Sequence, residues 1–203
     1  MTEKEKMLAG KLYDPSEPGL HGERQFAKEM LFDYHLLRPG EMNKRNEIIK
    51  KLFGKTDGLF WIEPPFRCDY GYNIFIGDNF YANYNCTILD CAKVTIGSNV
   101  MLAPNVSLFT AGHPVHWELR NTGLEFALPI TIGDNVWIGG GTIINPGIIV
   151  GDNVVIGAGS IVTKDIAPNS IAVGNPCKFL REITDEDKKY YFKKMKLFSN
   201  QSD

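Results

Sequence analysis

Residues 130–166 read ITIGDNVWIGGGTIINPGIIVGDNVVIGAGSIVTKDI, and this stretch decides the fold because an aliphatic residue returns at every sixth position. A small or β-branched residue follows each of these positions four residues later. A period of six fits neither an α-helix nor an alternating strand of this length. It predicts a coil of short strands that turn at regular corners. The aliphatic register consists of Ile132, Ile138, Ile144, Val150, Ile156 and Val162.

A corner motif gives the length of one coil. An aliphatic residue followed by Gly, then Asp or Ser, then Asn occurs at 76–79, 96–99, 132–135 and 150–153. The last two copies start 18 residues apart, so three hexapeptides make one turn of a triangular prism. Gly and Asn suit such corners because both adopt positive φ at low cost. The pattern predicts roughly five stacked coils with an aliphatic interior.

Composition excludes several classes of protein. The chain has 203 residues, of which 43% are hydrophobic and 23% charged, and its net charge is −2. This charge supplies no general field for nucleic acid or an anionic membrane, so neither is an expected partner. The four cysteines show no zinc-ribbon spacing, and the start of the chain shows no leader pattern. We therefore expect a cytoplasmic protein with free thiols.

One segment, at about 112–128, lacks the six-residue ladder and is expected to project as a loop. It begins with His113, Pro114, Val115 and His116. An imidazole, with an ordinary pKa of about 6.5, is a natural general base near neutral pH. A purely structural role for His113 before Pro114 is an equal alternative on the residues alone. The H-x-x-H spacing on a loop is a weak zinc pattern, and we expect no metal.

Two groups of polar residues are candidate binding sites. Thr163, Lys164, Lys178 and Arg181 bring a hydroxyl and cations to the end of the coil, which suits phosphate. Asp69, Tyr81, Asn83 and neighbouring polar residues suit a hydroxyl-rich ligand, although a role in the scaffold is equally compatible with their positions.

Several segments together resemble the maltose and galactoside O-acetyltransferases, a family of hexapeptide-repeat acyltransferases. Apart from the repeat itself they are WIEPPF at 61–66, NFYAN at 79–83, GHPVH at 112–116 and VTKD at 162–165. The similarity runs from about residue 7 to residue 183. It implies a left-handed parallel β-helix, and a homotrimer whose active sites lie between subunits.

Together with the helical patterns at both ends of the chain, the resemblance predicts an all-β fold with helical extensions. We expect an N-terminal helical segment at 1–57, a left-handed β-helix with the inserted loop at 58–183, and a C-terminal helix or tail at 184–203. Within these bounds, Thr2-x-x-Glu5 predicts a capping box at the first helix, and Thr184-x-x-Asp187 predicts the start of the last.

The implied activity is transfer of acetyl from acetyl-CoA, as co-substrate, to a sugar hydroxyl. His113 matches the family's general base, which deprotonates the 6-hydroxyl of maltose, glucose or a related glycoside for direct attack on the thioester. The acceptor-side positions are matched by Asp14, Asp69, Tyr81 and Asn83. The coenzyme positions are matched by Gly140, Ala158, Thr163, Lys164, Lys178 and Arg181.

Two departures bear on the acceptor. Cys91 stands at a position that is acidic in the family, and Asp69 stands where a galactoside-specific relative has a small hydroxyl residue. These differences favour maltose or glucose over galactosides.

Other functions are compatible with the repeat. The chain could be a hexapeptide acyltransferase for another small hydroxyl or an amine. A zinc enzyme like the γ-type carbonic anhydrases needs three imidazoles, whereas the loop offers only His113 and His116. The chain could also be a β-helical binding protein without enzymatic activity, but the histidine loop would then have no explanation.

Overall fold

The computed structural model describes residues 1–193 and 195–196. Its helices are α1 Glu3–Leu8, α2 Pro18–Leu36, α3 Met42–Leu52 and α4 Trp117–Arg120. Its strands are β1 Lys55–Thr56, β2 Phe60–Ile62, β3 Arg67–Cys68, β4 Ile74–Ile76, β5 Phe80–Ala82, β6 Thr87–Leu89, β7 Val94–Ile96, β8 Met101–Leu102, β9 Ser107–Phe109, β10 Ala111–Gly112, β11 Phe126–Ala127, β12 Ile130–Ile132, β13 Trp137–Ile138, β14 Ile143–Ile144, β15 Ile149–Val150, β16 Val155–Ile156, β17 Ile161–Val162, β18 Ser170–Val173, β19 Lys178–Glu182, β20 Tyr190–Phe192 and β21 Met195–Lys196.

Three sheets form the faces of a left-handed parallel β-helix of about six turns. The first face has the strand order β1-β4-β7-β12-β15, and the third has β17-β14-β9-β6-β3. The second face has the order β19-β18-β16-β13-β8-β5-β2, in which β19 alone pairs antiparallel to its neighbour. Up to β17, and apart from β10 and β11 of the loop, each face takes every third strand of the coil, as the 18-residue repeat predicts.

The predicted aliphatic register is the core of the prism. All six of its residues are at most 1% exposed. They stack in line along each face because the parallel register pairs Ile138 with both Leu102 and Ile156. Burying one such side chain contributes about 1.5–3 kcal/mol relative to leaving it in water. The repeat and its interior ladder are therefore confirmed.

Asparagines form one corner of the prism. Their φ angles are positive, between 56° and 57° at the five positions, a conformation that asparagine tolerates because its side chain bonds the local backbone. The side-chain amides of the first four donate to the side-chain oxygen of the next asparagine in the stack, at 2.8–3.2 Å. The ladder consists of Asn79, Asn99, Asn135, Asn153 and Asn169.

Helices α2 and α3 pack against the first coils of the prism, whereas α1 packs against β11. The capping box that opens α1 is present, with the Glu5 N–H donating to Thr2 Oγ1 at 3.2 Å and the Thr2 N–H donating to Glu5 Oε2 at 2.8 Å. α2 buries Ala27, Leu31 and Tyr34 in the same core cluster as the prism interior. None of the helices in the described part of the chain is long and apolar enough to cross a membrane.

The C-terminal segment differs from the expected helix. A capping box forms between Thr184 and Asp187, but only a 3-10 helix, Asp185–Lys189, follows it. The antiparallel strands β20 and β21 come next. The 3-10 helix buries no side chain, so no apolar burial stabilises a longer helix. The part of the expected helix at residue 194 and at 197–203 lies outside the described residues.

Candidate active site

The loop that interrupts the coil is held by a short hairpin. The chain leaves β9 on the third face, runs through β10, α4 and β11, and rejoins the first face at β12. β10 and β11 pair antiparallel, with Gly112 opposite Phe126. A Cβ atom at Gly112 would lie 2.7 Å from the Phe126 ring, so glycine permits the pairing. His113 follows directly and is therefore placed by the hairpin.

The imidazole of His113 is oriented by one hydrogen bond. Its Nδ1 lies 3.1 Å from the carbonyl oxygen of Leu124. A carbonyl oxygen can only accept, so the proton of the neutral ring is assigned to Nδ1 and the lone pair to Nε2. Nε2 lies 3.7 Å from Glu125 Oε1, and the side chain is 48% exposed. The ring therefore presents its basic nitrogen beside a carboxylate.

Glu125 is itself fixed by Tyr13. The Tyr13 hydroxyl donates to Glu125 Oε2 at 2.6 Å, and the two backbones exchange hydrogen bonds at 2.9 and 3.1 Å. Tyr13 is fully buried, and this burial raises the pKa of its hydroxyl. Sequence reasoning missed both residues because neither belongs to a motif and 112 positions separate them.

A cavity of about 350 Å³ lies beside Glu125, a size typical of small-molecule sites. Of the predicted acceptor residues, Asp69 lines the cavity. Asp14 stands directly before the lining residues Pro15 and Ser16 in the chain, and its Oδ1 accepts hydrogen bonds from the Ser16 N–H and hydroxyl. Sequence reasoning also missed Arg24 and His21, which extend from α2. The lining consists of Pro15, Ser16, His21, Arg24, Asp69, Cys91 and Glu125.

Asp69 is held between a thiol and a buried carboxylate. The Cys91 thiol donates to Asp69 Oδ2 at 3.4 Å, and burial raises the pKa of the Asp69 carboxyl. Asp90, fully buried behind it, accepts the backbone N–H groups of Asp69 and Tyr70 at 3.0 and 2.8 Å. Burial also raises the pKa of Asp90 to about 6. The cavity thus offers well-fixed hydrogen-bond acceptors, which suit a ligand rich in hydroxyl groups.

The other two predicted acceptor residues lie at a different corner of the prism. Tyr81 is on β5 of the second face, and Asn83 follows at the corner that leads to the third face. Neither lines the cavity at Asp69. A single chain therefore does not bring Tyr81 and Asn83 together with His113.

Two of the predicted coenzyme residues share that second corner. Backbone hydrogen bonds link its successive coils, from Asn105 N–H to Tyr84 O and from Gly159 N–H to Gly140 O, at 2.9 and 2.8 Å. Gly140 and Ala158 are consequently stacked along the prism axis above Asn83. A Cβ atom at Gly140 would lie 3.1 Å from the Pro104 carbonyl oxygen, so small residues keep this edge narrow.

The predicted cations lie at the far end of the prism. Lys164, which follows Thr163, and Lys178 line one cavity of about 360 Å³. Arg181 instead forms a two-point ion pair with Asp187, at 2.7 and 2.8 Å. This pairing holds the pKa of the Asp187 carboxyl well below its usual range. Lys164 and Lys178 are therefore the better placed of these cations to meet a phosphate.

His116 has a local structural contact. Its Nδ1 accepts the N–H of Glu118 at 3.3 Å and so caps α4. In the part of the chain that the structure describes, no three His, Cys, Asp or Glu side chains are grouped closely enough to hold a metal ion.

Known proteins resemble this chain over nearly its whole length. Residues 6–58 match the maltose acetyltransferase hexapeptide capping motif, and residues 129–164 match the hexapeptide repeat of succinyl-transferase. The galactoside O-acetyltransferase of Escherichia coli strain K12 is 52% identical over 196 residues, which cover 97% of each chain.

Two solved structures share the fold. One is a maltose O-acetyltransferase from Clostridium difficile 630, with 54% identity, a TM-score of 0.90 and coverage of 91% of this chain and 99% of that one. The other is a galactoside acetyltransferase in complex with coenzyme A, with 52% identity, a TM-score of 0.95 and coverage of 98% and 100%.

Proposed function

Because the chain belongs to the maltose and galactoside O-acetyltransferase family of hexapeptide-repeat acyltransferases and is an acetyl-CoA-dependent acetyltransferase, we propose that its acceptor is a sugar. The acetyl group goes to the 6-hydroxyl of maltose, glucose or a related glycoside. The observation that carries this proposal is the oriented His113 imidazole, whose basic Nε2 lies 3.7 Å from Glu125, a residue that also lines the cavity with its hydroxyl-binding groups.

The proposed reaction is direct transfer. His113 Nε2 removes the proton of the sugar hydroxyl as that oxygen attacks the carbonyl carbon of the thioester. The new ester bond forms, the carbon–sulfur bond breaks, and the proton passes from the imidazolium to the sulfur of coenzyme A. The carboxylate of Glu125, 3.7 Å from Nε2, stabilises the imidazolium while it exists. The proposal needs neither a metal nor a covalent enzyme intermediate.

The choice of glucose or maltose over galactosides rests on Asp69. Its carboxylate reaches the cavity and accepts from Cys91, so it is held in place to accept from a sugar hydroxyl as well. Arg24 lines the same cavity, with Nη1 donating to the Tyr70 hydroxyl at 2.7 Å. A donor and acceptors in one cavity can fix the ring orientation.

We propose a homotrimer with active sites between subunits. The third face separates the His113 corner from the corner that carries Asn83, Gly140 and Ala158, next to Tyr81 on the second face. A neighbouring copy can supply the second corner to the first, which completes the acceptor site and forms a coenzyme channel.

An apolar ladder on the second face supports such an assembly. The register aligns four outward side chains, of which Trp61, Met101 and Trp137 are 38%, 51% and 50% exposed. Tyr81 completes the ladder. Contiguous apolar patches of this kind are typical of protein–protein contacts. Thr163, Lys164, Lys178 and Arg181 would then meet the phosphates of coenzyme A at the end of the channel.

We also place the enzyme in the cytoplasm, since its four cysteines are free and buried.

Identification of the acetylated product tests the acceptor. The enzyme is incubated with acetyl-CoA and maltose, glucose, a galactoside or a small amine, and the products are assigned by NMR. We expect acetyl at the 6-position of glucose or maltose, with galactosides converted less efficiently. Acetylation of amines alone, or of another hydroxyl, would refute the proposed acceptor.

A further inference from the structure

A groove continues beyond the acceptor cavity along α2. Five side chains of this helix recur at intervals of three or four residues and so share one side of it: His21, Arg24, Lys28, Phe32 and His35. The first two line the 350 Å³ cavity, and the last three line a second cavity of about 370 Å³. Asp69 lines both cavities. The two cavities therefore lie one after the other along this side of α2, over which the helix advances about 21 Å.

The floor of the second cavity is the outer side of the third face. Arg67 on β3 and Thr87 on β6 are register partners, and both line it. With Lys28 and Phe32 from α2 they form what we call the second subsite. It holds two cations, one hydroxyl and an aromatic ring that is 60% exposed.

The described residues do not neutralise the charge of the second subsite. Among the described residues, the side chains of Lys28 and Arg67 make no hydrogen bond or ion pair. Burial lowers the pKa of His35 and so favours its uncharged form; its Nε2 lies 3.1 Å from the Phe66 backbone nitrogen and 3.0 Å from the Phe66 carbonyl oxygen. Asp69 is the one carboxylate among the residues described as lining this cavity, and it stands at the boundary with the first. The subsite is therefore net positive.

We propose that the second subsite binds an anionic group, a phosphate or a carboxylate, carried by the acceptor sugar on the side away from His113. The guanidinium of Arg67 can bind either group at two points, and Lys28 adds a second charge. The Phe32 ring can pack on an apolar part of the same acceptor. This inference rests on the proposed sugar acetylation and names its preferred substrate class as anionic glycosides.

Two pairs of ligands test the subsite without turnover. Glucose 1-phosphate is compared with methyl glucoside, and 4-carboxyphenyl glucoside with phenyl glucoside, by calorimetric titration in the presence of coenzyme A. We expect the anionic member of at least one pair to bind about tenfold more tightly, since hydrogen bonds to charged groups are worth more than neutral ones and exposure reduces their effect. The pair that shows the preference identifies the anion.

The variant Lys28→Gln/Arg67→Gln should bring the affinity ratio close to one. Lys50→Gln, on the exposed side of α3, is the matched control and should keep the preference. Circular dichroism confirms that each variant is folded. Equal affinities for both pairs in the wild type, or a preference that survives the double substitution, would refute the subsite.

The same ligands in a turnover assay separate this inference from the proposed function. Acetylation of methyl glucoside with no anionic preference in binding would refute the second subsite alone. An anionic preference that depends on Lys28 and Arg67, with no sugar acetylated, would support the subsite and refute the proposed acetyl transfer to sugars.

Discussion

The hydroxyl of Tyr13 donates to Glu125 Oε2 at 2.6 Å and so joins the N-terminal segment to the histidine loop. The same carboxylate has its other oxygen 3.7 Å from His113 Nε2. One buried phenol thus holds the group that faces the proposed base. This contact links the stability of the loop to the geometry of the site.

Replacing Tyr13→Phe tests that link. The substitution leaves a partly buried carboxylate oxygen without its donor, which we expect to lower the free energy of unfolding by about 1 kcal/mol. It should also raise the KM for the sugar several-fold, because Glu125 is no longer held. Urea denaturation and initial-rate kinetics measure the two effects. Tyr191→Phe, at a position that is 62% exposed, should change neither; equal stability of the Tyr13 variant and the wild type would contradict the account.

Asp90 should make stability depend on pH. Burial raises the pKa of this carboxyl from 3.8 to about 6 in the folded protein, so the folded state binds its proton more tightly than the unfolded state does. The stabilising contribution of the protonated form is complete below about pH 4 and is lost as pH rises through about 6. The total loss is about 3 kcal/mol.

The variant Asp90→Asn isolates this effect. Its side-chain oxygen can still accept from Asp69 and Tyr70, but it does not titrate. The wild type should therefore lose stability relative to the variant between pH 4 and pH 7, as measured by urea denaturation at each pH. A difference that stays constant over this range would show that Asp90 is already ionised at pH 4.

Truncating a buried side chain of the aliphatic ladder should destabilise the protein strongly. Ile144 is fully buried, so Ile144→Ala should cost about 2–5 kcal/mol through lost burial and the cavity left behind. Ile149, 53% exposed on an outer face, provides the matched control, and Ile149→Ala should cost less than about 0.5 kcal/mol. Similar thermal shifts for the two variants would be inconsistent with the interior ladder.

The two lysines at the end of the prism should act on the phosphates of the coenzyme. Lys164→Ala/Lys178→Ala should raise the KM for acetyl-CoA about tenfold through the loss of charge-assisted hydrogen bonds. Acetyl-pantetheine, which lacks the nucleotide phosphates, should show no such change. An equal rise for both donors would mean that these lysines act on the channel itself rather than on phosphate.

The β-helix could be predicted from the sequence because its signal is local and repeated. Each hexapeptide places its aliphatic residue in the same environment, and corner asparagines such as Asn99 and Asn135 adopt the positive φ that the motif indicates. In the described residues, the expected C-terminal helix is limited to a 3-10 helix, because the capping box at Thr184 can start a helix but the residues after it bury no side chain.

The site could be predicted only in part. The break in the repeat indicates His113, because an interruption in a regular pattern is visible in the sequence alone. The contact between Tyr13 and Glu125 has no periodic signal and depends on the folded path of the loop. Asn83 and His113 are separated because they stand at different corners of the prism. A residue's position in the repeat does not show whether its corner belongs to the acceptor site.

The release of coenzyme A from acetyl-CoA with maltose, by the wild type and by His113→Ala, tests the central claim most directly. We expect maltose-dependent release in the wild type and a kcat lower by about 10²- to 10⁴-fold in the variant, the usual contribution of a general base. His116→Ala, in the same loop, should stay close to the wild type. Comparable turnover by a folded His113→Ala protein would contradict the account.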